Sequence, residues 1–369
     1  MVIIERKDID TLLPVLSRRG FITVGPTVRN DTIVYDEIGS TSDFPVGRID
    51  EQDCAKYRLI ESRDESLFGF ASSPHSWKRF LFPPRLKFLT VTKKGKALAV
   101  NSELDEKIPK YAFIGVRSCD LHAIALQDKV FIGGEFIDPV YQLLRKNLFI
   151  VAVQCTRSGG TCFCSSMETG PEVTLPFDLL LTEVSTDGIH HFVAKEGSDV
   201  GREVLREVPH RAAEENEIER AQQLVARTAE QMKRSVDTAG LREVLLKNLE
   251  HPQWEGIAER CLLCANCTMV CPTCFCSTVE DTTDLTGDRA ERTRRWDSCF
   301  SADFAKVTGG NFRLLPKSRY RQWLTHKFSS WIDQFGSFGC VGCGRCITWC
   351  PAEIDITQEI HALQSNSIR

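Results

Sequence analysis

Short apolar and β-branched runs, separated by turn signals, fill the first half of the chain. Four of these runs predict strands at residues 21–24, 32–35, 112–116 and 148–153. Three dipeptides predict turns between them: Gly25-Pro26, Pro83-Pro84 and Gly133-Gly134. We therefore expect residues 1–205 to form a mixed α/β domain.

Residues 210–250 have a different pattern, with strong helix formers around an apolar stripe. Gly240 predicts a break, and His251-Pro252 predicts a stop. This indicates a helical connector over residues 206–252. The remaining residues, 253–369, include a helical pattern at 320–335, which predicts a helical ferredoxin-like domain in which helices replace the usual hairpins. The fold class expected for the whole chain is α+β.

Two cysteine motifs lie in the last part of the chain. CLLCANCTMVCP begins at Cys261 and CVGCGRCITWCP at Cys340, and both fit C-x2-C-x2-C-x3-C-P, the spacing of bacterial-type ferredoxins. Structural zinc ligands usually come as separated pairs, which disfavours zinc. In a two-cluster ferredoxin the fourth cysteine of each motif binds the other cluster. The predicted [4Fe-4S] ligand sets are Cys261, Cys264, Cys267 and Cys350 for cluster 1, and Cys340, Cys343, Cys346 and Cys271 for cluster 2.

Eight cysteines lie outside these sets. The pentapeptide TCFCS occurs twice, at 161–165 and 273–277, and Cys119 and Cys155 each follow a strand-like run, where site residues of α/β domains collect. We expect a third [4Fe-4S] cluster between the N-terminal and ferredoxin-like domains. Its candidate ligands are Cys119, Cys155, Cys162, Cys164, Cys274, Cys276 and Cys299. The alternative is that several are buried free thiols. Asp120 is expected to cap the helix after it, and Cys54 to be a plain helix thiol.

Composition excludes several classes of protein. The chain has 369 residues, a formal net charge of -4 and a pI near 6.1, so nucleic acid is not an expected partner. Clustered cysteines at ligand spacing fit a reducing, cytoplasmic setting better than a secreted disulfide scaffold. The N-terminus has no signal-peptide pattern, and no apolar run approaches eighteen residues, so we expect no direct membrane insertion.

A basic segment at residues 289–327 contains ten Lys or Arg residues against three acids. One interpretation is that these cations raise the potential of an anionic cluster. A solvated face is an equally good interpretation, and nucleic-acid binding a poor one. No dinucleotide-binding or P-loop glycine motif is present, which indicates that partner subunits bind the substrates.

The quoted motifs, together with GVRSCDLHAI, DPVY and TCFCSSMETGP upstream, resemble a known family over about residues 115–356. They are similar to the beta subunit of cytoplasmic sulfhydrogenases, the NAD(P)-linked nickel–iron hydrogenases, and to the related A subunit of anaerobic sulfite reductase. The resemblance implies an electron-transfer module between a flavin/NAD(P)-binding subunit and a catalytic partner. It also implies the eight ferredoxin-type ligands given above, all of which are present.

The sequence thus predicts an iron–sulfur electron-transfer subunit of a multisubunit oxidoreductase, with nickel–iron hydrogenase subunits as partners and no catalysis of its own. The first alternative is the electron-transfer subunit of anaerobic sulfite reductase, with sulfite reductase subunits as partners. An alternative of another class is a sulfur or polysulfide reductase in which one C-x-C pair is the reactive thiol.

Overall fold

The computed structural model of the chain describes residues 1–71, 73–102, 108–186 and 188–365. Its strands are β1 (Val2–Glu5), β2 (Ile22–Arg29), β3 (Thr32–Glu37), β4 (Arg48–Asp53), β5 (Lys56–Glu61), β6 (Arg85–Lys94), β7 (Ala97–Ser102), β8 (Tyr111–Val116), β9 (Phe149–Val153), β10 (Leu179–Thr186), β11 (Ile189–Glu196), β12 (Arg211–Ala212), β13 (Ser277–Thr283), β14 (Arg289–Trp296), β15 (Lys306–Val307) and β16 (Gly310–Asn311).

The α-helices are α1 (Leu12–Arg18), α2 (Lys78–Leu81), α3 (Ser118–Phe131), α4 (Pro139–Lys146), α5 (Asp199–Arg206), α6 (Glu215–Glu230), α7 (Leu241–Lys247), α8 (Gln253–Arg260), α9 (Asn266–Met269), α10 (Pro316–Thr325), α11 (Trp331–Phe335), α12 (Arg345–Thr348) and α13 (Ile356–Ser365). A π-helical turn, His326–Ser330, joins α10 to α11. Within the described ranges, no helix is both long enough and apolar enough to cross a bilayer.

A mixed sheet of eight strands forms the N-terminal part, in the order β12-β1-β11-β10-β9-β8-β2-β3. Its centre, β10-β9-β8-β2, is parallel, and the outer pairs are antiparallel. The four predicted strands are β2, β3, β8 and β9, so those predictions are confirmed. Since every residue of β9 is buried, this strand is apolar throughout rather than alternating, as expected for a parallel strand covered on both faces.

Two apolar layers cover the sheet. On one face, Ile114 and Val151 pack with residues of α1 and α5. On the other face, Phe113 and Ile150 pack with residues of α3 and α4. The carboxyl ends of the central strands β8 and β9 consequently lie side by side in an α/β/α sandwich. We call this end of the parallel strands the carboxyl edge of the sheet, and it is where such sheets carry their binding sites.

The predicted turn at Gly25-Pro26 is wrong. Strand β2 runs through both residues, with Gly25 opposite Asp36 and Pro26 opposite Tyr35 in β3. A side chain at position 25 would overlap the Ile38 side chain, so the glycine makes room for packing rather than for a turn. The other two turn predictions are confirmed, since Pro83-Pro84 lies between α2 and β6 and Gly133-Gly134 between α3 and α4.

The expectation that helices replace every hairpin of the C-terminal part is also wrong. Strands β13 and β14 form a hairpin between the two cysteine motifs, and β14 pairs with β6 in a four-stranded antiparallel sheet, β13-β14-β6-β7. This sheet joins the first and last thirds of the chain. Around it, α8, α10 and α13 form the predicted helical part, and α6 and α7 lie in the predicted connector together with the edge strand β12.

Candidate iron–sulfur sites

The two cysteine motifs share one backbone conformation. In the first motif Leu263 and Ala265 have φ of 53° and 65°, and at the equivalent positions of the second motif Gly342 and Gly344 have φ of 60° and 73°. Each loop then enters a short helix, α9 or α12. Left-handed backbone in a loop turns successive N–H groups to one side and forms an anion-binding concavity. Two non-glycine residues adopt this conformation in the first motif, which is unfavourable unless the fold requires it.

The first motif and the end of the second enclose a cavity. Its thiols are those of Cys261, Cys264, Cys267, Cys346 and Cys350, and Phe300, Tyr320 and Trp323 form its aromatic wall. Burial raises the pKa of Cys267 far above its usual range, and the negative charges of Cys261, Cys350 and Cys264 raise it further. The four cysteines predicted for cluster 1 therefore lie together. Cys264 is exposed, which places this group next to solvent.

A second cavity is lined by Cys271, Cys340, Cys343 and Cys346, the four cysteines predicted for cluster 2. Burial raises the pKa of Cys346 far above its usual range, and the charges of Cys340, Cys343 and Cys271 add to this effect. Trp323, Cys346 and Ile356 line both cavities, so the two cavities are neighbours.

Two buried lysines approach the second group, and the sequence analysis identified neither one individually. Lys327, on the π-helical turn, is 4% exposed, and its ammonium donates to Cys271 Sγ at 3.3 Å, Thr273 Oγ1 at 2.9 Å and the Gly339 carbonyl at 3.2 Å. Lys78, also 4% exposed, donates to the Cys274 carbonyl and lies over the Trp296 ring. Among the described residues, neither lysine forms an ion pair with a carboxylate.

Lys327 and Cys271 each shift the pKa of the other toward its charged form. Burial lowers the pKa of Lys327, but the charges of Cys271, Cys274 and Cys340 outweigh it and hold that pKa well above its usual range. The pKa of Cys271 is far below its usual range, first because the Cys274 thiol hydrogen-bonds to it and then because Lys327 is near. The contact between Lys327 Nζ and Cys271 Sγ thus shifts both pKa values in the direction of the charged forms.

The seven cysteines proposed for a third cluster divide into two groups. The first, which we call the quartet, is Cys119, Cys155, Cys162 and Cys164. Cys119 lies in the first turn of α3, just after β8, and Cys155 lies two residues after β9. Burial, followed by the charges of Cys162 and Cys155, raises the pKa of Cys164, and burial followed by Cys155 raises the pKa of Cys162 to about 12. Cys119 interacts with Cys164 in the same way.

The second group, which we call the trio, is Cys274, Cys276 and Cys299. Cys276 forms a hydrogen bond with Cys299, which lowers the pKa of Cys276 to about 7, and Cys274 forms one with Cys271. The trio thus lies beside Cys271 and the two buried lysines. The structure does not bring all seven candidates to one place.

The first TCFCS loop packs directly on the second cysteine motif. The Phe163 amide donates to the Gly342 carbonyl at 2.8 Å, and Thr169 Oγ1 donates to the Val341 carbonyl at 2.7 Å. A Cβ atom on Gly342 would lie 2.6 Å from Cys164 Cα, and one on Gly344 would overlap the Thr161 carbonyl. The second motif therefore has glycine at both left-handed positions, where the first motif has Leu263 and Ala265.

A buried ion pair crosses the same contact. Arg345 of the second motif and Asp120 of α3 are each 1% exposed, with Nη2 and Oδ1 3.0 Å apart, although the angle is poor for a hydrogen bond. Asp120 does not cap α3, because the N-cap residue is Arg117 and Asp120 lies inside the first turn. The expectation of a cap is thus wrong.

Arg117 is a second buried cation beside the quartet. Its Nη2 donates to the Phe68 and Phe70 carbonyls at 2.7 Å each, and its Nη1 lies 3.8 Å from Cys155 Sγ. Its Nε has no hydrogen-bond partner, and no carboxylate is paired with it in the described part of the chain.

All sixteen cysteines are free thiols, and each lies in the described ranges. Cys54 lies in the turn between β4 and β5, so its expected place in a helix is wrong. Across the described residues, no group of three or more His, Cys, Asp or Glu is arranged to hold a single metal ion. Zinc would require its thiolate sulfurs to lie within about 4 Å of one another. Thiols that line a shared cavity fit a cluster, whose irons and sulfides lie between them.

The basic segment is mostly a solvated, paired surface. Arg292 and Arg295 of β14 pair with Asp281 and Glu280 of β13, and Lys317 pairs with Glu255. Lys327 is the one lysine or arginine of this segment that contacts a motif thiol in the described structure. The interpretation as a solvated face therefore holds for these paired residues, and the interpretation that cations of the segment raise a cluster potential stays a prediction for Lys327.

Comparison with known proteins supports iron–sulfur binding by the C-terminal part of the chain. A family described as "4Fe-4S dicluster domain" matches residues 260–354. The "Sulfhydrogenase 2 subunit beta" of Pyrococcus furiosus is 33% identical over 305 residues, which cover 81% of this chain and 86% of that protein. No solved structure matches significantly.

Proposed function

The chain belongs to the family of sulfhydrogenase beta subunits, and we propose that it relays electrons between a flavin/NAD(P)-binding subunit and a nickel–iron hydrogenase module. Membership in this family and the dicluster domain make it an iron–sulfur subunit of a hydrogenase-type oxidoreductase with partner subunits. The identity of those partners, the direction of the relay and a cytoplasmic location belong to the proposal.

One observation supports the relay most strongly. One cavity contains three thiols of the second motif and Cys271 of the first, and the other contains three thiols of the first motif together with Cys346 and Cys350 of the second. Each motif thus contributes its last cysteine to the cavity of the other motif, which is the exchange expected of two cubane clusters. We propose Cys261, Cys264, Cys267 and Cys350 as ligands of cluster 1, and Cys340, Cys343, Cys346 and Cys271 as ligands of cluster 2. The protein holds the thiols at fixed positions and sets the charge around them, while the clusters supply one-electron redox chemistry.

The test is anaerobic purification of the tagged chain from its native host, with mass spectrometry of the proteins that co-purify. We expect a nickel–iron subunit and a flavoprotein. A sirohaem-containing partner would instead move the chain to sulfite reduction. Recovery of the chain alone with a full iron content would contradict the relay.

The ligand sets have their own test. Cys264→Ala and Cys346→Ala should each reduce the iron content and remove a different cluster signal from the electron paramagnetic resonance spectrum. Cys54→Ala is the control, since it removes a thiol that is half-buried like that of Cys346 but lies outside both sets. Equal iron contents in all three variants would exclude the proposed ligands.

A further inference from the structure

We propose that the quartet, Cys119, Cys155, Cys162 and Cys164, binds a third [4Fe-4S] cluster at the carboxyl edge of the large sheet, and that the trio does not. Its role as a relay site rests on the proposed function. Its ligand set rests on the placement of these four cysteines and of the buried charges around them.

The first argument is convergence of distant segments. Cys119 follows β8, Cys155 follows β9, and the pair Cys162 and Cys164 lies on the loop between β9 and β10. Because β8 and β9 are adjacent parallel strands, their carboxyl ends bring these segments to one edge. Four thiolates are the common ligand number of a cubane cluster.

The second argument is charge. Arg117 and Arg345 are both almost fully buried near the quartet, and Asp120 is the single carboxylate paired with either within the described residues. An unpaired buried charge is strongly unfavourable, so one positive charge at this place needs an anion. A thiolate-ligated cubane is anionic, and Arg117 already lies beside Cys155 Sγ.

The third argument is the close packing of the first TCFCS loop on the second motif. The loop with Cys162 and Cys164 has so little room above the second motif that both left-handed positions there are glycine. Thr161 Oγ1 and Thr348 Oγ1 form a hydrogen bond of 2.7 Å, and Phe163 is fully buried in the same contact. The loop with Cys162 and Cys164 is thus packed against Cys343, a proposed ligand of cluster 2, whose carbonyl oxygen lies 4.0 Å from Cys162 Sγ.

The trio lacks these properties. It has three thiols, and it could reach four only by including Cys271, which the second cavity also uses. Its thiols are already hydrogen-bonded to one another or to Cys271. We therefore assign the trio to packing and hydrogen bonding around cluster 2.

The test is the cluster count of the anaerobically purified full-length chain, by iron analysis and native mass spectrometry. The wild-type chain should carry about twelve irons, four in each of three cubanes. Cys119→Ala, Cys155→Ala and Cys164→Ala should each lose about four irons and keep the spectra of the other clusters. Cys276→Ala and Cys299→Ala, which leave the contact between Cys274 and Cys271 in place, are the matched controls and should keep all twelve.

Three results would overturn this inference: eight irons in the wild-type chain, loss of one cluster from the trio variants, or no loss from the quartet variants. If an alanine variant does not fold, the corresponding serine variant is measured instead. The iron count of the wild-type chain tests the inference without any variant. Eight irons with the two ferredoxin-type signals intact would reject the third cluster and leave the proposed function standing. Failure of the proposed function would instead appear in the co-purification.

Discussion

Replacing Lys327 by methionine should lower the reduction potential of cluster 2. The side chain is 4% exposed, it lies 3.3 Å from Cys271 Sγ, and no described carboxylate balances its charge. Methionine keeps most of the volume and removes the charge. An added electron on the cluster then loses its nearest cation, so the reduced state becomes less favourable.

The size of the effect follows from Coulomb's law. At an effective dielectric constant of about 20, unit charges about 6 Å apart interact by roughly 2.8 kcal/mol, a separation that allows for the spread of the electron over the cube. Since about 1.4 kcal/mol corresponds to about 59 mV for one electron, the expected decrease is about 120 mV. Cluster 1 should shift less, because the described hydrogen bond of Lys327 to a motif thiol goes to Cys271, a proposed ligand of cluster 2.

The assay is an anaerobic redox titration followed by electron paramagnetic resonance. Lys317→Met is the matched control, because Lys317 belongs to the same basic segment but pairs with Glu255 at the surface, and it should leave both potentials unchanged. Lys327→Arg, which keeps the charge, should recover most of the decrease. A Lys327→Met protein with full iron content, lower thermal stability and unchanged potentials would refute the reasoning and leave Lys327 a structural role only.

Two further predictions concern the contact between the α/β domain and the second motif. Gly344→Ala should destabilise the protein by about 2–4 kcal/mol, because the added Cβ overpacks against the Thr161 carbonyl and the left-handed backbone is strained for alanine. The control is Ala265→Gly at the equivalent position of the first motif, which should change the stability measured in thermal melts by less than about 1 kcal/mol. Equal effects of the two variants would contradict the packing argument. Asp120→Asn should cost about 3–5 kcal/mol in chemical denaturation, because it leaves Arg345 buried without its carboxylate. The control is Asp281→Asn, which breaks the exposed pair of Asp281 and Arg292 and should lower the free energy of unfolding by at most about 1 kcal/mol. Similar losses for both variants would show that burial adds nothing to the cost of breaking the Asp120–Arg345 pair.

The sequence predicted those features that depend on local pattern. Strands β8 and β9 are continuous apolar runs, and the spacing of the two cysteine motifs points to the same two groups of thiols that line the two cavities. It did not predict the pairing of β14 with β6, because their registers are set by contacts about two hundred residues apart. Gly25 was wrongly predicted to lie in a turn for a related reason. The Ile38 side chain, and not the local Gly-Pro dipeptide, is what requires a glycine at position 25.

Charges at the sites were the hardest features to predict. Lys327 was one of ten basic residues in its segment, and its position on a π-helical turn, which directs it to Cys271, has no clear sequence signal. Arg345 lies inside the second motif, and a charged side chain between cysteines would ordinarily be expected to be exposed to solvent. Its partner Asp120 lies 225 residues earlier in the chain, so only the fold could reveal the pair.

The order of the thiol groups gives the proposed relay a geometry. Cys119, Cys162 and Cys164 of the quartet interact electrostatically with Cys343 of the second group, and Cys346 of the second group interacts with Cys267 of the first. The first group reaches the surface at Cys264, where the neighbouring Leu262 is 65% exposed. With the proposed ligand sets, cluster 2 is therefore the middle site, and a change in its potential acts on every transfer through the chain. Because Lys327 contacts that middle site, its replacement should slow the relay in either direction, whereas a surface variant at Leu262 should weaken only the transfer to a partner docked beside Cys264.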